Sequence, residues 1–240
     1  MNINKIIFGG ILILLASTVS FTSCKKLALQ RDYTRAPDTV DTHVYMSAWD
    51  YLKKRALGTT STDQIWKTFY DGIVYSGMDT LEYTKPGRTY IFLNTEAITR
   101  TNSNLSDVGF FGANLVNTKN GTKWADYPKS FVKNYLQYLI MEGVHNHYTL
   151  PAINAVTIQT LAPKDSLNKL PTGITRTTAY PFVANPNSTM KIKVINSSPS
   201  NTSDYPIVLN ESRNVRTSSI QATNGTIHAI DRFLTTTVPD

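Results

Sequence analysis

The chain has 240 residues, 41% hydrophobic and 10% aromatic, which is enough for one domain of ordinary size with a sizeable core and too apolar for disorder throughout. Its net charge of +7 comes from 24 basic and 17 acidic residues, and the densest basic run is only Lys53-Lys54-Arg55. A mild excess spread this thinly, without interleaved aromatics, argues against nucleic acid as a partner.

Residues 1–5 are short and carry Lys5, residues 6–16 form an apolar run, and residues 17–23 are small and polar apart from Val19 and Phe21. That layout predicts a signal peptide over 1–23, since the apolar run is too short for a transmembrane helix. The only cysteine, Cys24, directly follows Thr22-Ser23, so no internal disulfide is possible. This boundary resembles a bacterial lipoprotein box, with Phe21 where the box prefers leucine. The resemblance implies cleavage before Cys24 and acylation of its thiol by palmitate-type chains. Two or more acyl chains suffice for stable anchoring, and the location the resemblance implies is the outer membrane of a Gram-negative bacterium, the cell-surface and periplasmic faces both remaining open. Residues 24–40 lack a sustained apolar period and read as a spacer.

The domain is expected to span 41–240. Tyr45, Met46, Trp49, Leu52 and Leu57 recur at helical spacing before Gly58. A second helix, capped by Thr62 or Asp63, presents Ile65, Trp66, Phe69, Ile73 and Val74 and stops at Gly77. Residues 88–93 form a β-rich run, after which Asn94 or Thr95 can cap a helix containing Glu96, Ala97 and Ile98. Residues 100–129 are rich in Asn, Ser, Thr and Gly and predict a variable lobe. Its aromatics Phe110, Phe111, Trp124 and Tyr127 either contact a ligand or staple the lobe to the core.

Residues 130–143 read as a helix passing into a strand that stops at Gly143, with Phe131, Tyr135, Leu136 and Leu139 on its buried side. His145 and His147 flank Asn146. Such a pair can offer two imidazoles to a metal, but the nearest further ligands, Glu142 and Asp165, have no spacing argument behind them, and no metal is expected. Beyond residue 155, Val156, Ile158 and Leu161, then Phe182-Val183, then residues 190–195, then residues 207–209 are short strand candidates; Ile192 and Val194 alternate with lysines, the pattern of one wet face. Asn224-Gly225 predicts a two-residue type I′ hairpin turn, because both residues tolerate positive φ. After it, Ile227 and Ala229 share one face and His228 and Ile230 the other, which predicts a strand inside the sheet.

No Gly-x-Ser-x-Gly elbow, His-Glu-x-x-His, phosphate loop or dinucleotide fingerprint occurs in the sequence. His228 and Asp231 stand an odd number of positions apart, hence on opposite faces of a strand. No catalytic residue and no cofactor is therefore expected.

Three blocks suggest a family. Ile220, Asn224-Gly225, the run Ile227-His228-Ala229-Ile230-Asp231 and Phe233-Leu234 together resemble the closing signature of the fasciclin domain. Residues 88–98 resemble its first conserved block, with Asn94 where the family usually has proline. Leu136-Gln137-Tyr138-Leu139 stands where the family carries Leu-x-Tyr-His; the histidine is missing, so integrin-type recognition is not carried over. The resemblance covers residues 41–234. It implies an α+β fold, a single fasciclin-like domain built as a strand-rich wedge with packed helices, in which Asn224, Gly225, His228 and Asp231 mark the fold. The function it implies is cell adhesion, or non-catalytic binding of an extracellular glycan or a protein partner; the alternative is a structural or assembly component of an outer-membrane glycan-uptake complex. Asp38-Thr39-Val40, Asp79-Thr80-Leu81 and Asp165-Ser166-Leu167 are similar to acceptors for O-glycosylation of exported bacterial proteins.

Overall fold

The structure, a computed structural model, describes residues 41–60, 63–101, 107–151, 154–194 and 206–238. The leader, Cys24, the spacer, Thr62 and Asp38-Thr39-Val40 lie outside the described residues. Helix α1 (Ala48–Leu57) starts where the Ser47 hydroxyl accepts the Asp50 N–H at 3.1 Å. That cap sets the buried face to Ala48, Leu52 and Ala56, and it corrects the expected stripe: Tyr45, at φ 52°, precedes the helix and is 76% exposed, and Leu57 points outward. A 3₁₀ turn, Gln64–Trp66, leads into α2 (Lys67–Ser76), which Gly77 ends at φ 64°. Trp66, Phe69 and Ile73 face the core, whereas Ile65 and Val74, expected to join them, are exposed. Asp63 makes no cap bond; it holds Arg55 at 3.3 Å instead.

Strand β1 (Arg88–Leu93) and helix α3 (Thr95–Thr99) meet as the sequence predicts, with Asn94 Oδ1 accepting the Ala97 N–H at 2.9 Å. The lobe that follows is built of short pieces: α4 (Phe110–Ala113), β2 (Asn114–Val116), β3 (Lys119–Asn120) and a 3₁₀ turn, Trp124–Asp126. Helix α5 (Lys129–Tyr138) passes into β4 (Ile140–Glu142), with Tyr135, Leu136 and Leu139 buried and Phe131 half-buried. The remaining strands are β5 (Val156–Gln159), β6 (Ile174–Arg176), β7 (Thr189–Val194), β8 (Ile207–Leu209), β9 (Arg213–Asn214), β10 (Thr217–Ala222) and β11 (Gly225–Ile230). Phe182-Val183 is not a strand. It lies between Pro181 and Pro186, which offer no N–H to a ladder, and Val183 is exposed.

These strands make three sheets, in the orders β10-β11-β1-β4, β3-β2-β6 and β5-β7-β8-β9. In the first, β1 and β11 run parallel, from Arg88 opposite Gly225 to Leu93 opposite Ile230, while the flanking pairs are antiparallel. β11 therefore lies inside its sheet and is buried from Thr226 to Ile230. Along β7, Met190, Ile192 and Val194 are buried and the two lysines between them are not, the alternation of a sheet with one wet face. Helices and sheets share one core, in which Phe69 and Phe92 meet at 5.5 Å and Tyr83 stacks on Tyr90 at 5.6 Å. The result is an α+β protein. Among the described residues no helix is long and apolar enough to cross a membrane.

Candidate functional site

The closing hairpin departs from its predicted turn. Ala222 pairs with Gly225, so the two-residue turn is Thr223-Asn224, and neither Asn224 nor Gly225 has a positive φ. Both residues are needed for contacts rather than for turn geometry. Asn224 Oδ1 accepts the Ala48 N–H at 2.8 Å and so caps α1 from the far end of the chain. Its Nδ2 faces the Tyr83 carbonyl at 2.9 Å, the Lys85 carbonyl at 3.1 Å and the Tyr90 hydroxyl at 2.8 Å. At Gly225 a Cβ would stand 2.0 Å from the Arg88 carbonyl oxygen, so only glycine lets β1 and β11 pair this closely.

His228 is fully buried, and its neighbours fix the tautomer: Nδ1 accepts the Ser219 N–H at 3.1 Å, and Nε2–H donates to the His145 carbonyl at 2.8 Å. Burial pulls its pKa down to about 4, so the ring is neutral. Asp231 belongs to a different network. Its carboxylate lies 3.2 Å from Arg232 and 3.8 Å from Arg216, and Arg232 also binds Asp107 and, at 3.5 Å, Glu96. The Arg232 hydrogen bond holds the Asp107 carboxyl below the usual carboxylate range.

The two histidines beside Asn146 point to different partners: His145 Nε2 to the Glu142 carbonyl at 2.8 Å and His147 Nδ1 to the Ser219 hydroxyl at 2.8 Å. Among the described residues no three His, Cys, Asp or Glu side chains gather as a metal set. Ser219 sits at a bulge in β10 with φ 59° and is 8% exposed, so its contact with His147 pins the loop after β4 to the sheet.

The four lobe aromatics are corrected as ligand contacts by their burial. Phe110, Phe111, Trp124 and Tyr127 are 0%, 2%, 5% and 2% exposed. Their rings lie 5.1–5.7 Å from one another in the pairs Phe110–Trp124, Phe111–Trp124 and Phe111–Tyr127. Trp124 donates to the Thr68 carbonyl at 2.8 Å and Tyr127 to the Asn114 carbonyl at 2.7 Å, so each polar tip is used in fastening the lobe. Aromatic area this large is worth more packed than presented. Of the two described glycosylation-like triplets, Asp79-Thr80-Leu81 lies at the surface with Leu81 62% exposed, whereas the Ser166 hydroxyl is buried.

The structure also forms a cleft of about 210 Å³ that no local motif announces. Tyr51 and Arg55 of α1, Ile65 and Trp66 of the 3₁₀ turn, and Asn94 supply one part of its wall. Arg216 and, on the closing hairpin, Thr217, Ile220, Ala229 and Ile230 supply the rest. Arg55 lies over the Trp66 ring at 5.9 Å, and the Trp66 Nε1–H is buried without an acceptor. The wall is rich in donors over an aliphatic floor, and its lining holds no carboxylate. The sequence carries each of these residues in plain view, but in separate groups, at 51–55, 65–66, 94 and 216–230, that only the fold brings together.

No protein-family model matches the chain, and no curated protein matches it.

Proposed function

We propose that the chain is an outer-membrane lipoprotein, tethered through Cys24, whose fasciclin-like body binds a partner in or outside the envelope without chemical turnover. The cleft between α1 and the closing hairpin carries this reading. It combines guanidinium groups, aromatic edges and an apolar floor, the mixture that ligand sites use. The aromatic lobe, by contrast, is consumed by its own packing.

Two experiments test the reading. Intact-mass analysis of the protein from native membranes is expected to show a chain beginning at Cys24 with added acyl mass, and a Cys24→Ser variant is expected to leave the membrane fraction. Affinity capture with the lipidated chain from native membranes is expected to retain a partner. An unacylated chain, or capture indistinguishable from that of an unrelated lipoprotein, would contradict the proposal.

A further inference from the structure

We infer that the cleft between α1 and the closing hairpin is a carboxylate site: it takes a ligand that joins one carboxylate to a compact apolar group. This rests on the binding reading above and names the ligand chemistry. Three observations lead to it. First, the lining supplies the Arg55 and Arg216 guanidiniums, the Tyr51 hydroxyl and the Asn94 amide as donors, while the Asn94 oxygen is already used in capping α3. Arg216 is 73% exposed and, among the described residues, its carboxylate contact with Asp231 at 3.8 Å is loose because Asp231 lies closer to Arg232, at 3.2 Å. Arg55 keeps Asp63 at 3.3 Å and adds positive charge to the same wall.

Second, the floor is aliphatic: Ile65, Ile220 and Ala229, the last two on the same face of the hairpin. A sugar ring needs acceptors along its rim and an open aromatic face to stack on. Here Trp66 is 3% exposed, with the Tyr51 and Phe92 rings standing edge-on to it at 5.4 and 5.2 Å. An apolar group fits this floor and a polyol does not. Third, the volume of about 210 Å³ is below the roughly 300–1,000 Å³ of sites for drug-sized molecules, so the cleft holds one residue-sized group.

Such a group has two sources, a free carboxylic acid and the carboxyl-terminal residue of a protein. The test uses the full mature chain and calorimetric titration with N-acetyl-leucine, a pentapeptide ending in leucine, the same pentapeptide as its terminal amide, and glucuronate. N-acetyl-leucine and the free-acid pentapeptide are expected to bind with Kd on the order of 1 mM or tighter. The amide and glucuronate are expected to bind at least about tenfold more weakly, and Arg216→Gln to weaken the acids by about tenfold without changing the fold, because that side chain is mostly in water. Tighter binding of the peptide than of N-acetyl-leucine assigns the site to protein termini; equal binding assigns it to free acids. No binding of either acid, equal binding of the amide, or preference for glucuronate overturns the inference. Partner capture from membranes that persists in Arg216→Gln would leave the binding function standing and remove this cleft from it.

Discussion

The residues that fasten the closing hairpin and those that fasten the aromatic lobe are buried alike, yet they act by different means. In the hairpin, the groups that fix the chain are polar and each is matched: Asn224 to Ala48, Tyr83, Lys85 and Tyr90, and His228 to Ser219 and His145. In the lobe, rings fill the space around Phe110, and hydrogen bonds from Trp124, Tyr127 and the buried Asn114 amide add to that packing. Matched polar groups specify one arrangement and fail abruptly when a donor becomes an acceptor. Packed apolar groups tolerate substitutions of similar volume.

The sharpest break of this contrast is Asn224→Asp. The shape is unchanged, but a carboxylate then faces the carbonyls of Tyr83 and Lys85 where an amide donated to them. A loss of about 4 kcal/mol is expected from urea denaturation at pH 7. A loss under about 1 kcal/mol would mean that the hairpin is held by packing like the lobe.

Next in size is a pH effect. His228 titrates near 6.5 when unfolded and at about 4 when folded, so both states are neutral above pH 6.5 and its contribution is constant there. As pH falls below 6.5 the unfolded chain takes up the proton first, and stability declines until the native ring itself protonates near pH 4. The expected loss over that window is about 3 kcal/mol, and His228→Gln should lack this slope. His145 and His147 lie beside the ring, so the comparison is best made as wild type minus variant.

Phe110→Leu probes the other region. Trimming one ring to a smaller apolar group is expected to cost about 1–2 kcal/mol, at most half the effect of the isosteric change at Asn224. The smallest expected effect is Arg216→Gln, within about 0.5 kcal/mol of wild type, since an exposed guanidinium with a loose contact adds little stability. These last two sharpen the contrast, because the lobe variant perturbs stability and the cleft variant perturbs binding alone.

What the sequence reveals follows from the range of the forces involved. The Arg88–Leu93 strand, the Asn94 cap and the helix after it are legible because a cap acts within three residues. The β11 strand is legible because apolar groups occupy both of its faces. The turn before it is misread because Asn-Gly is ordinarily a sign of positive φ, whereas here glycine admits the Arg88 carbonyl and asparagine caps a distant helix. Strands β6 and β9 escape because three and two residues carry no period. The lobe aromatics are visible as aromatics, but only contacts across the fold show that they are buried. The cleft is invisible for the same reason: Tyr51, Asn94 and Arg216 become neighbours only when the hairpin closes beside α1.

The claim that binding belongs to the cleft and not to the lobe is open to one direct measurement. In ¹⁵N-labelled mature chain titrated with N-acetyl-leucine, the account predicts shifts at the Trp66 indole N–H, the Asn94 amide and the backbone of Thr217 and Ile220, with the Trp124 indole unmoved. Shifts confined to Trp124, Tyr127 and the residues around Phe110, or no shift at the cleft at saturating ligand, would contradict it.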